Sequence, residues 1–488
     1  MPKKLLKNQH LLVEKNFINN DWIEAISGET LAVTNPFDQS LVGNIPLCGE
    51  RETVQAIESA HHSQSAWRSL TSLERANYLH KWASLIEANL DDLCTIMTIE
   101  HGKPLFESKA ELLFGISIIK WFAEQGRRAY GDIVPANKSH HRILVMKQPV
   151  GLVGIISAWN FPVATFLRKA APALAAGCTV VGKPAELTPF SVLALAYLAK
   201  EAMFPSGILN LITGRPSEIG KVLTSHQLVR AFSFTGSTAV GKVLQKQCAD
   251  SVKKVSLELG GNAPLIVFDD ADLNLAINAT LTNKFRNMGQ ACVCANRIYI
   301  HENVYDQFLR GFLEGVKALK LGNGLSANIN QGPLISQAAV DKVLRLINDA
   351  VSKGAEIVCG GKVSSLGGTF FEPTVIINAN AHMDIHKEEI FGPVAVIYKF
   401  ASEKQVLLDA NHTNFGLAAY AFTNNIQRMF RISEGFEAGI VSINEGVVTT
   451  EVAPFGGYKE SGNGREGGKE GLEEFLETKY VCIGNIDP

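Results

Sequence analysis

Apolar strand-like segments alternate with helical ones from Leu152 to Gly261, and this rhythm constrains the chain more than any other feature. LVGIISAWN (152–160) reads as a buried strand ending in a polar turn, and Phe166–Gly177 as a small-residue helix. CTVVGKPAE (178–186) is the next strand and turn. A helix over Phe190–Met203, a short strand over Ile208–Thr213 and the strand AFSFTG (231–236) follow. A helix over Ala239–Cys248 and the strand VSLELGG (255–261) close the series. Apolar strands separated by helices pack as a parallel sheet covered on both faces. A second series begins at Pro264–Phe268 and continues through strands near Arg297–His301, Val396 and Ile440. Two α/β units are therefore expected, with a boundary near Gly260–Pro264. Upstream, helical spacing predicts helices within 50–100 and over Leu105–Tyr130, and strand over Arg142–Gln148.

The 488 residues are 46% hydrophobic and 19% charged with a net charge of −2, which excludes wholesale disorder and a basic field for nucleic acid. No apolar run approaches the ~18–20 residues of a membrane span. The N-terminal MPKKLLKNQHLLVEKNF has lysines but no long apolar core, so no secretory leader is expected. Eight sparse cysteines fit a reduced, cytoplasmic setting.

Five segments carry chemistry. In FRNMGQACVCANR (285–297), Cys292 follows Gly289 in a polar loop. A cysteine attacks a carbonyl as thiolate, so the expectation is a partly exposed, electropositive environment. Cys292 and Cys294 supply two soft ligands at most, with no second cluster at zinc-like spacing, so no metal site is expected. In VSLELGG, Glu258 is a lone acid in an apolar strand, where desolvation raises its pKa toward that of a general base. In SAWNFP, the Asn160 amide can donate to a developing oxyanion. SFTGSTAVGKV places Gly236 and Ser237 between a strand and a helix N-terminus, a phosphate-binding arrangement. It nearly matches a P-loop, but Val243 stands where a magnesium-binding hydroxyl belongs. In KPAE, Glu186 can accept hydrogen bonds from ribose hydroxyls and repel a 2′-phosphate. Each segment alone also has a structural reading: a buried thiol, a strand-end acid, an Asx turn, a packing turn and a solvated turn.

Together the segments describe a thiol nucleophile, a base, an oxyanion donor and a dinucleotide cradle. WNFP, KPAE, FTGS, LELGGNAP, GQ-x-C, EEIFGP (388–393) and PFGG-x-K-x-SG-x-GRE (454–466) occur in one order over nearly the whole chain. In that order they resemble the NAD(P)-dependent aldehyde dehydrogenases. FRN-x-GQ-x-CVCANR, WFAE-x-G (121–126) and ETKYVCIG (477–484) are similar to the succinate-semialdehyde dehydrogenase branch.

The resemblance implies an α/β, aldehyde dehydrogenase-like fold: a Rossmann-like NAD-binding domain (1–130 and 150–260), an α/β catalytic domain (261–460) and a small bridging β-element (131–149 and 470–488). It implies Cys292 as nucleophile, Glu258 as the base that activates water, and Asn160 with the Cys292 N–H as oxyanion hole. Trp159, Asn160, Lys183, Pro184, Ala185, Glu186, Gly236, Ser237, Leu259, Glu389 and Phe391 would line the cofactor site. Arg168, Arg286 and Thr449 would bind the substrate's carboxylate, Thr449 and Thr450 standing where the branch has serine. Cys294 is a candidate redox partner of Cys292. The expected cofactor is NAD, on the strength of Glu186, with NADP the alternative. The expected reaction is oxidation of succinic semialdehyde to succinate. Glutaric semialdehyde and a broader aldehyde specificity are the alternatives, and a need for activated water argues against a CoA-acylating relative. A homodimer or homotetramer is implied. A nucleotide hydrolase and a non-catalytic relative are the rivals from other classes, opposed by Val243 and by the intact Cys292, Glu258 and Asn160.

Overall fold

The computed structural model describes residues 2–486. Residues 1, 487 and 488, the extremities of the expected cofactor and bridging units, lie outside the described residues.

Five parallel strands, Leu152–Ile156, Thr179–Lys183, Leu209–Leu211, Val229–Thr235 and Lys254–Glu258, form the centre of an eight-stranded sheet in the order 3-2-1-4-5 counted along the chain. The strands Asn16–Ile18 and Asp21–Ile23 extend one edge antiparallel. Gly462–Asn463 returns from far along the chain to extend the other. Strand order reverses between Leu152–Ile156 and Val229–Thr235. In open α/β sheets the connections leave in opposite directions at such a point and open a crevice at the carboxyl ends of the strands.

The helices Glu50–Ser69, Ser72–Ala88, Leu90–His101 and Leu105–Gly126 pack around this sheet. Trp67 and Trp82 are buried, and their indole N–H groups donate to the carbonyls of Leu174 and Leu195 at 3.0 and 2.8 Å. Two expected helices differ in extent. The one expected to Tyr130 ends at Gly126. The one expected from Phe166 starts at Pro162, a residue suited to a first helical turn because its missing N–H has no partner to lose. Its next two N–H groups, Val163 and Ala164, are met by Glu111 Oε1 at 2.9 and 3.1 Å, a cap supplied from another helix and so invisible to local pattern.

The chain passes to a second sheet between Lys254–Glu258 and Ala263–Val267. Its seven strands run Glu356–Cys359, Thr374–Ile377, Val394–Phe400, Ala295–His301, Ala263–Val267, Ala418–Phe422 and Ile440–Ile443, all parallel except the first pair. A separate three-stranded antiparallel sheet joins Asp132–Val134, Arg142–Pro149 and Leu476–Ile483. Among the described residues, no helix is long and apolar enough to cross a membrane.

Candidate active site

One cavity of about 1020 Å³ opens at the switch point of the first sheet and runs to the loop before Ala295–His301. Its wall carries Cys292, Glu258, Asn160, Trp159, Lys183, Ala185, Glu186, Gly236, Ser237, Leu259, Glu389, Phe391, Arg168, Arg286 and Thr449. Two expected residues are not on it. The Pro184 ring lies off the wall, and its carbonyl accepts a hydrogen bond from Lys183 Nζ at 3.3 Å. Cys294 is buried, with its thiol turned to the carbonyls of Lys284 and Ala295 at 3.5 and 3.8 Å. A turn closed by Cys294 N–H on the Ala291 carbonyl (3.1 Å) separates it from Cys292, and both thiols are free.

The Cys292 loop is reached through three successive left-handed residues, Asn287 (φ 55°), Met288 (φ 57°) and Gly289 (φ 68°). A Cβ on Gly289 would stand 2.2 Å from the Gly392 carbonyl oxygen. A Cβ on Gly261 would stand 2.2 Å from the Cys292 carbonyl oxygen, so the second glycine after Glu258 is what lets the two sheets bring Glu258 and Cys292 together. The Asn160 amide donates to the Gln290 carbonyl at 3.0 Å, and Asn287 Nδ2 donates to the same oxygen at 3.1 Å. One Asn160 N–H is thereby fixed, leaving the other for a ligand on the wall. Lys103 Nζ, paired with Glu111 at 2.7 Å, holds the Asn160 carbonyl at 2.8 Å.

The electrostatics correct one expectation. Burial, and then the carboxylates of Glu258 and Glu389, push the Cys292 thiol well above its ordinary range, with Arg168 opposing. The setting is less electropositive than the loop composition implies. Burial, reinforced by Glu466, pushes the Glu258 carboxyl up to about 8, against Lys169 and Arg168. Glu258 Oε1 has no hydrogen-bond partner. Lys169 is itself buried and bonds to both Thr235 and Glu466. Glu466 closes the PFGG-x-K-x-SG-x-GRE motif, but its pairing with Lys169 carried no signal in the sequence, because nothing local links residues 297 apart.

The donor set fits a dinucleotide. Lys183 and Glu186 pair at the end of the second strand, and Ser237 caps the Thr238–Ala249 helix at the switch point. Glu389, raised to about 7 mainly by burial, accepts the Gly261 N–H at 2.9 Å. Phe391 is held at φ 55° with its ring edge-on to Trp159, centroids 5.5 Å apart. Arg168 is buried between the rings of Phe455 and Phe114, its guanidinium carbon 4.0 and 5.0 Å from their centres. Its Nε and Nη2 find no protein acceptor. Thr450 is turned away from the cavity, its hydroxyl accepting the Val452 N–H at 3.4 Å, which leaves Thr449 on the wall.

This thiol–carboxyl–amide arrangement beside a dinucleotide crevice has close counterparts. The aldehyde dehydrogenase family profile matches residues 22–481. The chain belongs to the aldehyde dehydrogenase family. It is 50% identical to the NADP(+) succinate-semialdehyde dehydrogenase GabD of Escherichia coli (strain K12), over 98% of this chain and 99% of that one. It is 49% identical to a glutarate-semialdehyde dehydrogenase of Pseudomonas aeruginosa, over 99% and 100%. The crystal structure of an E. coli NADP-dependent enzyme superposes with a TM-score of 0.98 at 50% identity, covering 98% of this chain and 100% of that one. The family places the chain among NAD(P)-dependent oxidoreductases. The α/β fold with its Rossmann-like sheet and small β-element is that of the family.

Proposed function

We propose that the chain oxidises succinic semialdehyde to succinate through a thioester on Cys292. The observation that carries this is Arg168: a buried guanidinium with two unpartnered nitrogens, Nε and Nη2, on the wall of the cavity that holds the thiol. Leaving buried charged donors unpaired is costly, and a carboxylate at the far end of the substrate satisfies them. Arg286 and Thr449 line the same cavity. The names of the relatives, which include succinate- and glutarate-semialdehyde dehydrogenases, support an aldehyde with a terminal carboxylate. Glutaric semialdehyde is the second reading, favoured by that 49% identical relative.

Glu258 takes the proton of the Cys292 thiol or of water, and its raised pKa suits it to either at mildly alkaline pH. The thiolate adds to the aldehyde carbon. Asn160 and the Cys292 N–H meet the resulting oxyanion. NAD(P), when bound, would supply the hydride acceptor. Collapse leaves the acyl group on Cys292, and water activated by Glu258 releases the acid. Lys183, Ala185 and Glu186 would hold the adenosine end, Gly236 and Ser237 the pyrophosphate, and Trp159, Leu259, Glu389 and Phe391 the nicotinamide end. Glu186 favours NAD over NADP by repelling a 2′-phosphate. The test is kcat/KM for succinic semialdehyde against a neutral aldehyde of equal length.

The cofactor-binding unit comprises 1–130 and 150–260, the catalytic unit 261–460, and the bridging element 131–149 and 470–488. Exposed Ile133 and Tyr480 on the three-stranded sheet, 80% and 64% accessible, support its covering by a second copy in a homodimer or homotetramer. Light scattering of the purified enzyme tests that assembly. Its free cysteines fit a cytoplasmic setting.

A further inference from the structure

Glu107, on the Leu105–Gly126 helix, is a buried carboxyl on the cavity wall that the reaction does not use. Its Oε1 accepts the backbone N–H of Asn287 at 2.9 Å, while Oε2 has no partner. That N–H belongs to the peptide joining Arg286 to Asn287. Fixing it fixes the direction in which Arg286 leaves the backbone. The need for a fastening is local: Asn287 and Met288 both hold left-handed φ values, which L residues avoid. Asn287's side chain fastens the turn toward Asn160 and Gln290, at 3.1 Å to each carbonyl, but neither bond acts on the Arg286 peptide.

The charges agree. Lys103 and Arg286 lie on the Phe161 ring, 4.3 and 5.4 Å from its centre. Glu107 and Glu111 are the carboxyls that face them. Burial and Glu111 raise the Glu107 pKa, while the Asn287 N–H, Lys103 and Arg286 lower it.

We propose that Glu107 is a positioning residue for Arg286, and through it a determinant of the preference for aldehydes bearing a terminal carboxylate. This rests on the reading that Arg286 meets that carboxylate. A residue needed only for stability would lower turnover of every aldehyde alike, whereas a positioning residue for Arg286 changes the ratio between substrates.

The test measures kcat/KM for succinic semialdehyde and for butanal on the full-length enzyme, in wild type, Glu107→Ala and Glu107→Gln. The ratio of the two is expected to fall by about tenfold or more in the Ala variant, as an arginine–carboxylate contact is misplaced. In the Gln variant, which keeps an acceptor for Asn287, it is expected to stay within about threefold of wild type or rise. If the Ala variant does not fold, Glu107→Asp, whose carboxyl is one carbon shorter, carries the same expectation as Ala. A wild-type preference for succinic semialdehyde that persists in Ala or Asp overturns this inference alone. A Gln variant as poor as Ala also overturns it. A wild-type enzyme with no preference overturns the substrate reading, and this inference with it.

Discussion

Lys169 and Glu466, 297 residues apart in the chain, form a buried ion pair whose charges bear on Glu258 from opposite directions. Glu466 helps burial raise the Glu258 carboxyl, and Lys169 restrains it, at about 8. The base form of Glu258 is the ionised one, so kcat/KM should rise with pH through about 8. Glu466→Gln removes the like charge but keeps an acceptor for Lys169. Its acid limb should move to lower pH by about one unit. A limb that stays in place in the variant contradicts this account of the base.

In the proposed mechanism, Cys292 and Glu258 separate the two halves of the reaction. Cys292→Ala should give no burst of reduced cofactor. Glu258→Gln should slow steady turnover by about 10²–10⁴-fold. If its defect lies chiefly in deacylation, rapid-quench mass spectrometry at alkaline pH should find the enzyme carrying one succinyl group. A Glu258→Gln enzyme that turns over near the wild-type rate removes Glu258 from the mechanism.

Asn160 has one N–H on the Gln290 carbonyl, and the proposed mechanism gives the other to the oxyanion. Asn160→Ala should cost about 10²–10³ in kcat. The Gln290 carbonyl keeps its bond from Asn287, so the melting temperature should change little. A large loss of stability with kcat preserved would make Asn160 a structural residue instead.

Arg168→Met tests the buried guanidinium. Losing charge-assisted bonds to a carboxylate should lower kcat/KM for succinic semialdehyde by about 10–100-fold. Stability should hold or rise, because an unpaired buried cation is replaced by an apolar chain of similar length. A melting temperature that falls steeply, with specificity unchanged, would assign Arg168 to the fold.

Glu186→Ser tests cofactor choice. Removing the carboxylate should raise kcat/KM with NADP by about tenfold or more. Unchanged ratios of NAD to NADP would show that selection lies elsewhere on the wall.

The strand–helix alternation made the parallel sheets legible, because strands buried on both faces read as continuous apolar runs whereas their crossover helices carry helical spacing. The site was legible where chemistry demands an unusual residue in a short segment, as with Glu258 in an apolar strand or Cys292 after Gly289. Contacts made across the chain were not. Lys103 lies in the short connection between two helices and Glu107 and Glu111 on a helix, and their partners Asn160, Asn287 and Val163 lie between 52 and 180 residues away. The Cys294 orientation depends on a single turn, so its nearness in sequence to Cys292 misled. The Cys292 environment was misread for a related reason: loop composition does not reveal that Glu258 and Glu389 arrive from other strands and loops.

The most direct measurement is formation of NADH and NADPH with succinic semialdehyde, with glutaric semialdehyde and butanal alongside. The account predicts that succinic semialdehyde with NAD gives the highest kcat/KM, with butanal lower by about tenfold or more. Equal efficiency with butanal would contradict it, leaving an aldehyde dehydrogenase in which Arg168 and Arg286 do not select the substrate.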